Sequence, residues 1–142
     1  MLMRYAGRLG AIALAAMLLA PRPSAAAADV VLELNKLETI DKACRAYFLI
    51  RNDGKDPFED IKLDIFIFGK DGVISRRFAI STGQLRPGKT VVRLFDIPDL
   101  DCGTATRFLL NEVISCAGPS GPVDRCGERI AVAARGGVTF DY

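Results

Sequence analysis

Four cysteines, Cys44, Cys102, Cys116 and Cys126, are the residues of this 142-residue chain whose type and number invite a chemical reading first. Thiolates can hold zinc, exchange electrons, attack an acyl group or close disulfides, and spacing separates these uses. Successive cysteines stand 58, 14 and 10 residues apart. Structural zinc uses two close C-x-x-C-like pairs, and thioredoxin-like centres use C-x-x-C itself. Neither pattern occurs. The chain has no histidine, which removes Ser-His-Asp and Cys-His nucleophiles and the common zinc sites. No G-x-x-x-x-G-K-[ST], G-x-S-x-G or G-x-G-x-x-G motif occurs. All four cysteines are expected in disulfides, with no cofactor and no metal.

Carboxylates are the next chemical groups. Asp96, Asp99 and Asp101 lie in one connection, where oxygen ligands from a single loop could hold calcium. The plainer expectation is a solvated loop in which Asp96 or Asp99 caps a turn beside Pro98. Glu59, Asp60 and Asp64 could supply a carboxylate pair for glycoside hydrolysis, but their position at a strand start favours solvent-facing side chains. Arg76-Arg77 could read an anionic substrate or mark a protease site. Charges on a sheet edge that discourage strand addition explain them more simply.

Residues 1–28 have the features of a secretory signal peptide. Arg4 and Arg8 precede an apolar stretch at 9–20, and an alanine run at 25–28 supplies cleavage options. About twelve apolar residues are too few for a membrane-spanning helix, which needs roughly 20. Such a leader suits a bacterial chain destined for the periplasm or the medium, an oxidising place where an even cysteine count means disulfides. It holds three of the 19 Lys+Arg and none of the 17 Asp+Glu, so residues 29–142 carry 16 against 17. That balance favours neither nucleic acid nor an anionic membrane as partner. The remaining 114 residues fit one domain.

The elements that position these residues read as strands. Apolar and polar residues alternate over 30–38. Residues 43–52 are branched and aromatic and end at Asn52-Asp53-Gly54. Over 58–68, Ile61, Leu63, Ile65 and Ile67 share one face, and Lys62 and Asp64 the other. Turns at Gly69-Lys70-Asp71-Gly72 and Arg86-Pro87-Gly88-Lys89 frame strands at 73–80 and 90–97. Residues 104–114 have helix formers but follow five strand signals, so a strand is preferred. Strand signals return at 128–134 and 138–142, as one bulged strand or two. The C-terminal stretch could also be a frayed tail or a segment that pairs with a partner's edge. Short strands at this spacing indicate an all-β antiparallel sandwich of about seven strands.

The stretch from Asn52 to Phe95 resembles bacterial immunoglobulin-like modules of the FxLYD kind. The matching residues are Asn52, Ile61, Leu63, Ile65, Phe68, Asp71-Gly72, Leu85, Pro87-Gly88, Thr90 and Phe95. The whole chain is also similar to small exported bacterial proteins without an assigned activity. The resemblance implies an immunoglobulin-like fold and carries over no functional site. The four cysteines depart from those modules.

Numbering the strands alternately up and down puts Cys44 and Cys102 at one end of the sandwich and Cys116 and Cys126 at the other. Of three possible connectivities, Cys44–Cys102 and Cys116–Cys126 are expected. In immunoglobulin-like sheets, strands 58–68 and 104–114 are neighbours. Phe66, Phe68 and Leu109 would then form an exposed apolar patch rimmed by Arg107, a surface for a periplasmic protein partner or for self-association. Alternatively, the C-terminal segment or the 128–134 strand folds over the patch. The sequence points to a non-catalytic binding or structural module. An enzyme, redox factor or metal carrier with an unrecognised site is the alternative.

Overall fold

In a computed structural model, residues 27–142 are described. The export signal expected over 1–28 lies outside them, apart from its last two residues. Two sheets pack face to face as an all-β sandwich. The first has the order β5-β2-β1-β8, built from β1 (Val30–Ile40), β2 (Ala43–Asn52), β5 (Thr90–Pro98) and β8 (Ile130–Ala134). The second runs β4-β3-β6-β7, from β3 (Asp60–Phe68), β4 (Ile74–Ser81), β6 (Arg107–Gly118) and β7 (Gly121–Pro122). A last strand, β9 (Thr139–Asp141), also pairs with β6.

Period-2 alternation drives this arrangement. Leu32, Leu34, Phe48 and Ile50 of the first sheet meet Ile61, Leu63, Ile65 and Ile67 of the second, all essentially inaccessible to water. Phe108 and Leu110 of β6 join them, which settles 104–114 as a strand rather than a helix. Phe140 of β9 meets Phe48 and Phe108 edge-on, with centroids 6.0 and 6.3 Å away, so it bridges the two sheets. Both glycine turns form as the sequence indicates, with Gly72 at φ 76° and Gly88 at φ 69°.

Asn52 explains one part of the motif at the end of β2. Its buried amide donates to the Asp56 and Leu85 carbonyls, and its side-chain oxygen accepts from the Gly54 amide. Phe58 pairs with Leu85 in an isolated bridge, so β3 starts at Asp60 rather than at 58.

Four expectations need correction. The described residues form nine strands, against about seven expected, and two of the nine are only two and three residues long. The sandwich is not wholly antiparallel, since β8 runs parallel to β1 and β9 parallel to β6. The 104–114 strand sits at Arg107–Gly118, so Cys116 lies inside it. The 128–134 strand starts at Ile130, after a short 3-10 helix (Cys126–Arg129). The bridges are Cys44–Cys102 and Cys116–Cys126, as the strand ends imply.

Candidate interaction surface

β3 and β6 are neighbours, and their register brings the four expected surface residues together. Phe66 stands opposite Leu109, and Phe68 opposite Arg107. Inward alternation of Phe108 and Leu110 turns Leu109 and Arg107 to the outer face. The phenylalanines are half-buried, however, rather than exposed. β8 belongs to the other sheet, and the C-terminal β9 pairs beside β6. An arginine lies over each ring instead: Arg77 at 5.4 Å from the Phe66 centroid, and Arg107 at 4.9 Å from that of Phe68. A guanidinium is planar and weakly hydrated, so it covers an aromatic face at small desolvation cost.

Each arginine is held from behind. Arg107 donates to Asp141 of β9 at 2.7 Å. Arg77 donates to Asp64 at 2.8 Å. Asp64 is the residue that sequence reasoning misplaced. Expected to face solvent, it is 2 % exposed, because Arg77 and Asn111 close over it, the latter donating at 3.0 Å. These two donors, Arg77 foremost, hold its carboxyl below the usual carboxylate range against the opposing effect of burial. Asn111 reaches it because β6 carries an extra residue there, a bulge between the Asp64–Glu112 and Ile65–Leu110 pairs.

β4 adds an apolar residue the sequence did not single out. Ile74 lies opposite Phe68 and is about half exposed, beside the still more exposed Val73. The outer face of β4-β3-β6 is thus a row of apolar side chains under two guanidinium lids.

The other acidic groups are engaged separately. Asp96 makes a two-point pair with Arg45, at 2.6 and 2.8 Å, and its carboxyl is held low by that contact. Asp99 takes a left-handed backbone, and its carbonyl accepts from Arg76. Asp101, not Asp96 or Asp99, is the cap. Its carboxylate accepts from the Gly103 amide at 2.9 Å and opens the short 3-10 helix (Cys102–Thr104). Asp60 accepts from Ser81 and the Gly83 amide, and Glu59 faces Gln84. Among the described residues no three His, Cys, Asp or Glu side chains converge as a metal-binding group.

Arg76 and Arg77 are therefore more than edge charges. Arg76 reaches across to the Pro98 and Asp99 carbonyls, and Arg77 neutralises a buried carboxylate. Compared with family models, curated proteins and solved structures, the chain has no significant match to any.

Proposed function

We propose that this chain is an exported, non-catalytic binding module of the bacterial periplasm, and that the outer face of β4-β3-β6 is its contact surface. Two disulfides suit an oxidising compartment, and the leader-like residues 1–28 supply the route there. The single observation that carries the contact surface is the row Phe66–Leu109 beside Phe68–Arg107. It is apolar, half-covered and rimmed by two arginines. Rings beneath movable guanidinium groups can exchange that cover for a partner's apolar side chains. The partner is a periplasmic protein or a second copy of the chain. Asp60, Asp64, Asp96 and Asp101 are each engaged by structural donors, which supports a binding role over acid–base chemistry.

The test is the double variant Phe66→Ser, Phe68→Ser. Sedimentation reads self-association, and a periplasmic pull-down reads hetero-association. A folded protein with its association lost supports the surface. A melting temperature that collapses as it would for core phenylalanines, at about 3–5 kcal/mol for each ring lost, would show that these rings are core and remove the surface.

A further inference from the structure

β6 has two sides. Along one it pairs with β3 from Asp60–Ala117 to Phe68–Arg107. Along the other it pairs with β9 only at residues 107–109, and with β7 only at 117–118. The Cys116 carbonyl also accepts from the Val123 amide. Between these contacts, residues 110–115 have no strand neighbour on that side among the described residues. The same edge that accepts one strand at each end is left open for six residues in the middle, a run of about 20 Å at strand spacing.

A groove of about 770 Å³ follows this open stretch. Val113, Ile114, Ser115, Val123, Tyr142 and the Cys116–Cys126 bridge line it. Ile114 is 46 % exposed. Charge is sparse: Glu112 and Arg125 are the only charged lining residues, and Arg125 pairs with Glu128. Lysine and proline are absent from 110–115, where the edge carries one charge, Glu112, and the two bulges at Asn111 and Ile114. The edges of β4 and β5, by contrast, carry Arg76 and Arg93, whose side chains bond to carbonyls across the sandwich.

We infer that the open edge of β6 is a peptide-binding site, which takes an extended, largely uncharged segment of a partner protein as an added strand between β9 and β7. The occupant's chemistry follows from the edge. Unpaired backbone groups at strand spacing are matched by another backbone, and the groove's sparse charge selects apolar side chains at alternate positions. The inference rests on the binding-module reading but uses a different surface from Phe66 and Phe68.

The probe is a phage-displayed library of random linear heptapeptides, panned on protein produced from the full chain with both disulfides closed. Enriched peptides are resynthesised, and their binding is followed by NMR and calorimetry. The expected result is alternating apolar positions in the peptides, with shifts concentrated at residues 110–115. N-methylation of a single peptide amide should weaken binding about tenfold at alternate positions and leave it unchanged between them, since each such methyl removes one ladder hydrogen bond. Ile114→Asp should also weaken binding, while Phe66→Ser with Phe68→Ser leaves it intact. Loss of binding in the phenylalanine variant, with shifts on that face, would put recognition there and overturn the edge site. No enriched peptide, or indifference to N-methylation, would also overturn it. So would a dimer of the free protein with residues 110–115 protected, which would make a second copy the occupant.

Discussion

The two long sides of the sandwich are closed in different ways. On the β4–β5 side, side chains reach over the rim. Arg93 of β5 donates to the Thr82 carbonyl at 2.7 Å, and Arg76 of β4 donates to the carbonyls of Pro98, the last residue of β5, and of Asp99. On the β6–β8 side the closure is covalent and apolar. The Cys116–Cys126 bridge ties the helix before β8 to β6, and Phe140 packs between the sheets. Arginine straps cover the backbone edge they cross. A disulfide and a buried ring fix the spacing of the sheets but cover no edge, so strength and openness coexist on that side.

Breaking the covalent and apolar side should cost most. Phe140→Ala removes a ring that touches both sheets and should destabilise by about 3–5 kcal/mol, measured as the urea midpoint at constant slope. The bridges come next. Cys44–Cys102 spans 58 residues and Cys116–Cys126 spans 10, so loop entropy gives about 4 and about 3 kcal/mol respectively. Paired Cys→Ala variants in urea should show that order. On the strapped side, Arg93→Ala removes one side-chain bond to a carbonyl and should cost about 1 kcal/mol. A loss as large as that of Phe140→Ala would show that the straps, not the ring, hold the sandwich closed.

The smallest effect is one of pH. The Asp64 carboxyl is held below its ordinary value chiefly by Arg77, then by Asn111. A group with a lowered folded pKa adds stability above its unfolded value, about 4, and loses it as pH falls through the folded value. Melting temperature should therefore decline below about pH 4, and Arg77→Gln should flatten the part of that decline due to Asp64. An unchanged slope in the variant would mean that the pair contributes nothing.

The strands were legible because one buried face per strand imposes period 2, as in Ile61 to Ile67. Cysteine pairing was legible because the strand ends fix which thiols can meet. Partner choice was not. Nothing in the alternation of 128–134 says that β8 joins β1 instead of β6, because pairing depends on where two sheets separate rather than on one strand's pattern. Asp64 looked solvent-facing because its cover comes from β4 and from a bulge in β6, and bulges leave no local signature. The same holds for the extra residues at Asn111 and Ile114, which bend β6 where its outer edge is open. Phe66 and Phe68 were legible as outward but not as covered, since their arginines come into place only through register and side-chain reach.

Native-state hydrogen exchange tests the open edge most directly. In the free protein, core-strand amides of β3 should exchange only through global unfolding. Within residues 110–115, amides that face β3 should be protected, and amides that face away should exchange orders of magnitude faster. Uniform protection across 110–115 in a monomer would contradict the account, because the edge would then already be paired.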